Sequence, residues 1–308
     1  MRIVFMGTPR AAVPTLERIL ADGHEVAAVY SQPDRPSGRG NKVSFSPVKQ
    51  FALDNGLPVF QPHKIRIPET IETFRSHNAD AAVVVAYGRI LPETFLNAYP
   101  RGAINVHFSL LPRYRGAAPV NWAIVNGDTR TGVTTMRMDA GLDTGGILLK
   151  RETAIGAAET APELMQRLAG FGADLLSETL AMYNELVPQP QDDASATFAP
   201  IMKKEDGLID WTLTALEVAR RIRGFQPFPT AFTSYAGKKL TIWQGEPAGV
   251  TIAGNPGEII EAKGNGFVVA CGKNTALRVH ELQLEGKRRM PVSDFLNGTR
   301  VQAGEILG

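Results

Sequence analysis

Short apolar runs alternate with helical stretches through the first half of this chain, and that order limits the fold more than any other property of the sequence. Runs at 3–5, 26–30, 58–60, 81–86 and 103–107 are bounded by turn residues, and helical stretches near 11–21, 47–55 and 69–76 separate the earlier ones. Such spacing predicts an α/β fold built on a doubly wound, mostly parallel, Rossmann-like sheet. Two more strands, near 131–138 and 146–153, flank the glycine-rich turn 139–146. A long helix follows, with Thr160 as its N-cap and Glu163 completing a capping box. Its apolar residues Leu164, Leu168, Phe171 and Leu175 step at helical period.

The pattern then changes. Residues 187–200 carry Pro, Ser and Gln with little apolar content, and read as a linker. A helix from 214 to 223 ends at Gly224, and short strands follow near 231–236, 239–246, 257–262, 266–271 and 275–283. Five strands at this spacing predict a small OB-like β-barrel. The expected division is a catalytic domain over 1–187, a linker over 188–206 and a C-terminal barrel over 207–308. A length of 308 residues suits two domains.

Composition excludes several classes. Cys271 is the single cysteine, so no intramolecular disulfide forms, and no cysteine cluster points to structural zinc. No apolar run approaches the ~20 residues of a membrane span. The chain enters its first strand at residue 3, unlike a secretory leader. A cytoplasmic enzyme is expected, with nothing that calls for an obligate oligomer, hence a monomer. The net charge is only +2.

The chemistry gathers at 103–116. In Ala103-Ile104-Asn105-Val106-His107-Phe108 the apolar side chains share one strand face, and Asn105 and His107 share the other. An amide N–H and an imidazolium N–H aimed at one point can both donate to a developing oxyanion, and histidine can move a proton near neutral pH. A histidine alone in a strand is more often structural. Here a second polar residue shares its face, and the loop Ser109-Leu110-Leu111-Pro112-Arg113-Tyr114-Arg115-Gly116 follows at the strand's carboxyl end, where open α/β sheets bind ligands. Asp143, in the glycine-flanked turn, is either a carboxylate that orients the imidazole or a plain turn-former. Gly7-Thr8-Pro9 has one glycine where a dinucleotide fingerprint needs three, which argues against a dehydrogenase.

Asn105-x-His107, the Ser109–Gly116 run and Asp143-Thr144-Gly145-Gly146 together resemble the 10-formyltetrahydrofolate-dependent formyltransferases. Phe5-Met6-Gly7-Thr8-Pro9, the loop from Gln32 to Gly40, Asp210-Trp211 and Ile222-Arg223-Gly224-Phe225 are similar to the branch that acts on methionyl-tRNA. The resemblance spans the whole chain. It implies formyl transfer from 10-formyltetrahydrofolate to the α-amine of methionyl-initiator tRNA, without a metal. It makes Asn105, His107 and Asp143 the catalytic trio. It lines the folate site with Tyr87, Gly88, Arg89, Ile90 and Leu91 and with Ser109, Leu110, Leu111 and Pro112.

Basic residues supply the candidate RNA contacts. Between Pro33 and Lys49 stand Arg35, Arg39, Lys42 and Lys49 against Asp34 alone, with Gly38 and Gly40 beside Arg39. A solvated loop is the usual fate of such a run; the resemblance favours a basic finger for phosphates and the acceptor end. Lys203, Lys204, Arg220, Arg223, Lys287, Arg288 and Arg289 are the C-terminal candidates. For the arginines, stabilisation of a helix C-terminus is the competing reading. Related activities would keep the trio: formylation of an amino sugar nucleotide or of glycinamide ribonucleotide, or hydrolysis of 10-formyltetrahydrofolate. An RNA-binding protein without catalysis would not need it.

Overall fold

The computed structural model describes residues 1–37, 42–252 and 254–308. Its first sheet has seven strands, in the order Ile147–Ala154, Arg130–Arg137, Ala103–His107, Ala81–Val85, Arg2–Gly7, Glu25–Tyr30 and Val59–Phe60. The last five pair in parallel, and Arg130–Arg137 runs antiparallel to both of its neighbours. The chain starts at Arg2–Gly7, moves outward through Glu25–Tyr30 to Val59–Phe60, then returns to pair Ala81–Val85 on the other side of the first strand. That reversal is the switch point of a doubly wound sheet, and it opens a crevice at the carboxyl ends, here Gly7 and Val85.

The strand alternation predicted for 103–108 is set by packing beneath it. Gly172, on the helix Ala161–Ala181, lies so close that a Cβ there would stand 2.8 Å from Val106 and 3.4 Å from Phe108. Only a residue without a side chain lets the helix rest on the apolar face. Asn105 and His107 are thereby left to the other side. Thr160 and Glu163 form the expected start of this helix, with the Glu163 carboxylate accepting from both the backbone N–H and the hydroxyl of Thr160.

The second unit is an antiparallel sheet in the order Ala231–Tyr235, Lys238–Pro247, Thr275–Leu284, Gly266–Cys271, Ile259–Lys263, with Met290–Pro291 added beside Thr275–Leu284. The helix Ala215–Gly224 begins with a complete capping box between Thr214 and Glu217 and buries Ala215, Val218, Ala219 and Ile222 in the core of this sheet. The final residues span its two edges. Ile259 N–H donates to the Glu305 carbonyl, Leu307 N–H to Gly257 and Gly308 N–H to Ser234. A tail without strand pattern thus links the first and last strands of the barrel-like module.

The two compact units do not follow the expected boundaries. One holds Met1–Pro119, Arg130–Ala154 and Met165–Ala199; the other holds Val120–Thr129, Ile155–Leu164 and Pro200–Gly308. Residues 188–199, part of the expected linker, belong to the first unit. Gln189 exchanges two backbone hydrogen bonds with Ile147, and Phe198–Ala199 pairs in parallel with Arg115–Gly116. Low apolar content was a poor guide because this segment is held by bonds between polar groups.

Candidate active site

The strand Ala103–His107 presents Asn105 and His107, 8% and 6% exposed, toward the loop that follows it. The ring of His107 is oriented from both sides. Its Nε2 lies 2.9 Å from the Tyr114 carbonyl. A carbonyl only accepts, so Nε2 carries a proton and donates. Nδ1 faces Asp143 at 3.7 Å, close enough for attraction and too long for a hydrogen bond. The same Asp143 oxygen, Oδ2, accepts from Gly116 N–H at 2.8 Å. Asp143 has φ of +53°, in the left-handed region, which is uncommon for residues other than glycine although aspartate tolerates it better than most.

The loop between His107 and Gly116 is braced by polar contacts. Ser109 Oγ donates to the Arg113 carbonyl, and Thr134 Oγ1 donates to the Ser109 carbonyl while accepting from Leu111 N–H. Lys150 Nζ donates to the Leu111 carbonyl at 3.2 Å. Tyr114, at φ +62°, donates its N–H to Thr197 Oγ1. Arg115, 4% exposed, donates from Nε and Nη2 to Gln191 Oε1 and from Nη2 to Asp193.

The second expected wall of the site follows Ala81–Val85. Ala86 and Gly88 both have positive φ, +46° and +83°, and bend the chain sharply. The side chains of Tyr87 and Leu91 turn into the core while Ile90 is 70% exposed. The Tyr87 carbonyl accepts from Thr8 Oγ1 and Gln32 Nε2, and Arg89 donates from Nε to Gln32 Oε1 and from Nη1 to the His63 carbonyl. Arg89 is therefore an internal brace in this structure. Thr8, Gln32, Asp34, Phe45 and Gly88 line a cleft of about 420 Å³ at this end of the sheet. Burial pushes the Tyr87 hydroxyl above its ordinary value; it has no hydrogen-bond partner among the described residues.

The sequence candidates for RNA contact are placed unequally. Arg39 lies outside the described residues. Arg35 and Lys42 stand on an antiparallel hairpin, Arg35–Ser37 against Lys42–Ser44. Lys49 is committed elsewhere: Nζ bonds the Asp34 carboxylate and Gln61 Oε1 and rests 3.9 Å from the Phe45 ring centroid. That pairing holds the Asp34 carboxyl below its usual range, first through Lys49 and then through Gln61. Arg223 donates to the Glu159 carbonyl and is half-buried, and Arg289 is paired with Glu281. Lys203, Lys204, Lys287 and Arg288 are exposed, and Arg220 is partly so. Lys239 lies over the Phe232 ring, and burial and then nearby Lys204 draw it below its ordinary value. Gln191 was missed because it sits in a stretch whose composition signals a linker, and no motif marks it.

Among known proteins, residues 1–180 match the family model described as formyl transferase, and residues 201–300 match the formyl transferase C-terminal domain. This chain belongs to the formyl transferase family. It is 53% identical over 310 residues to the methionyl-tRNA formyltransferase of Solibacter usitatus, covering 100% of this chain and 99% of that one. It is 52% identical over 310 residues to that of Citrifermentans bemidjiense, covering 100% and 96%. In fold it is similar to the crystal structure of WlaRD, a sugar 3N-formyl transferase in the presence of dTDP and 5-N-formyl-THF. The TM-score is 0.68 at 20% identity, covering 94% of this chain and 99% of that chain.

Proposed function

We propose that this protein transfers a formyl group from 10-formyltetrahydrofolate to the α-amine of initiator methionyl-tRNA, yielding N-formylmethionyl-tRNA for translation initiation, and that it works in the cytoplasm as a monomer. The observation that carries the reading is full-length identity of about one half to methionyl-tRNA formyltransferases. The approach of Asp143 to His107, with Asn105 two residues earlier on the same buried strand, supports it.

The surfaces expected to hold the folate have a fitting character. Space above Gly88 is open, with nothing within 4 Å of a Cβ placed there, and Ile90 offers an exposed apolar side chain beside it. A flat heterocycle needs this combination of an apolar contact and reachable backbone polar groups. The loop 109–112 would form the other wall.

The folate supplies an activated formyl carbon. Amine attack there places negative charge on the formyl oxygen. As the carbonyl re-forms, the bond from the formyl carbon to N10 breaks, N10 leaves with a proton and the attacking nitrogen gives one up. This chain's contribution is to meet that charge and move those protons. The Asn105 amide is the neutral donor. For His107, Nε2 is occupied by the Tyr114 carbonyl, so the proton that serves the reaction is carried on Nδ1, next to Asp143. This differs from a ring with both nitrogens free to reach the oxyanion. Asp143 stabilises the imidazolium formed at Nδ1 and keeps that nitrogen facing the site.

An acceptor screen tests the proposal. With 10-formyltetrahydrofolate as donor, methionylated initiator tRNA, an amino sugar nucleotide, glycinamide ribonucleotide and water are compared. Formylation of the charged tRNA with the others inert is the expected outcome. Transfer to a small amine while the tRNA stays unmodified overturns the reading.

A further inference from the structure

We infer that Gln191 is a positioning residue for the reaction: it holds the Asp143 turn in its strained conformation by bridging that turn to the buried guanidinium of Arg115. The inference rests on the catalytic role proposed for Asp143.

Gln191 makes four hydrogen bonds to nitrogen and oxygen partners, besides a longer contact from Nε2 to Met136 Sδ at 4.0 Å, and each end of its amide has one possible assignment. Oε1 accepts from Arg115 Nε at 3.0 Å and Nη2 at 2.9 Å. Nε2 donates to the Asp143 and Gly145 carbonyls, both at 2.8 Å. A guanidinium only donates and carbonyls only accept, so a flipped amide would face like groups at every contact. No other coded side chain of this length both accepts from the arginine and donates twice to the turn.

The bridge is built on a fixed base. Gln189 and Ile147 exchange backbone hydrogen bonds at 2.8 Å, which sets the register of the segment along the turn. Pro188 packs so near Gly146 that a Cβ there would stand 2.7 Å from it, and a Cβ on Gly145 would meet the Arg137 carbonyl at 1.9 Å. The turn is thus confined from both sides. Asp143, at φ +53°, is its strained residue, and its carboxylate must stay between His107 Nδ1 and Gly116 N–H. The Gln191 amide is what grips the carbonyl of that same residue. Without it the turn relaxes toward ordinary backbone angles, and the carboxylate leaves the imidazole.

Two substitutions separate the halves of the bridge. Gln191→Glu keeps the acceptor for Arg115 and sets carboxylate oxygen against the two carbonyls. Gln191→Leu loses both halves. Each is assayed in the full chain with methionyl-tRNA and 10-formyltetrahydrofolate, alone and combined with Asp143→Asn. The expected result is a kcat about 10- to 100-fold lower for both single variants, as misplacement of a catalytic group by about an ångström produces, with KM for either substrate within about twofold. In the Asp143→Asn background, Gln191→Glu should lower kcat by less than about twofold, because the group it positions is already gone. Losses that multiply in the double variant, or a Glu variant with near-normal kcat, overturn the inference. If Asp143→Asn alone turns over normally, the assignment of Asp143 itself fails, and that outcome is distinguishable from the others.

Discussion

Asn105 differs from aspartate by a single group, yet that group decides whether the strand end attracts or repels negative charge. Asn105→Asp replaces an N–H donor with a charge, so its kcat should fall below that of Asn105→Gly, which merely removes the donor. Steady-state kinetics of the pair check this, and an Asp variant equal to or better than the Gly variant contradicts a donor role. His107→Ala should lower kcat by about 10²–10⁴, the usual contribution of a positioned acid–base group, with folate affinity retained by equilibrium binding. Gly116 joins backbone geometry to the same chemistry. Its φ is +123°, its N–H holds the Asp143 carboxylate, and a Cβ there would stand 2.6 Å from the Ala199 carbonyl. Gly116→Ala should therefore cost about 1–3 kcal/mol of stability and reduce kcat as well. Thermal unfolding and turnover read the two effects. Alternation along the strand put Asn105 and His107 on one face, and only the family resemblance added Asp143 to them. Neither could find the Tyr114 carbonyl that occupies His107 Nε2, because a backbone acceptor has no signature in residue type.

Among the elements, helix starts were legible from short spacings, and ion pairing was not. Thr214 and Glu217 are three apart, and the structure closes both halves of their box. Thr214→Ala should remove about 1 kcal/mol, seen as a lowered Tm of the C-terminal unit. The Lys49–Asp34–Gln61 clasp behaves differently. Lys49 counts as a finger cation by charge, but folding sets it against Asp34 and Gln61 at the base of the hairpin, and Gln61 Nε2 donates to Asp34 Oδ1. The Asp34 carboxyl is held below its unfolded value, so its stabilising contribution is complete above the ordinary aspartate range, near pH 4, and is lost as pH falls through the lowered value. An NMR titration of Asp34 should show a midpoint below that of a model peptide. Lys49→Met should move it back upward, and an unchanged midpoint would show that the pair is idle.

At the scale of the whole molecule, charge and chain division make separate predictions. Exposed Lys287 and Arg288 are available to phosphates, whereas Arg289 already has Glu281. Replacing Lys287 and Arg288 with alanine should weaken tRNA binding and flatten its log–log salt dependence by about one unit per lost contact. Arg289→Ala should change the slope less. Binding titrations across salt measure both, and equal slopes for all proteins would place the RNA elsewhere. The C-terminal unit also borrows chain from the middle of the sequence. Asn121 Nδ2 donates to the Gly224 carbonyl, Trp122 Nε1 to Pro200 and Arg223 to Glu159, and Trp122 packs edge-on against Phe225. A fragment of residues 200–308 lacks these partners and should melt below the same unit in the intact chain. Equal melting temperatures would mean that the borrowed segments add nothing to its stability.

The alternation of the main strands and helices up to residue 107, the face carrying Asn105 and His107, the helix start at Thr160 and the five short strands after residue 230 were written in local patterns. Periodicity, turn residues and fixed spacing act between near neighbours, so the sequence determined them by itself. The tertiary structure alone decided the rest. It set Gln191 between Arg115 and Asp143, recruited residues 188–199 into the first unit and brought Val120–Thr129 into the second. It also gave Lys49, Arg223 and Arg289 partners that removed them from the pool of free cations. These outcomes depend on groups far apart in the chain, and many of them on backbone carbonyls that every residue carries alike, so their pairing is fixed only when the packed chain brings them within hydrogen-bond reach.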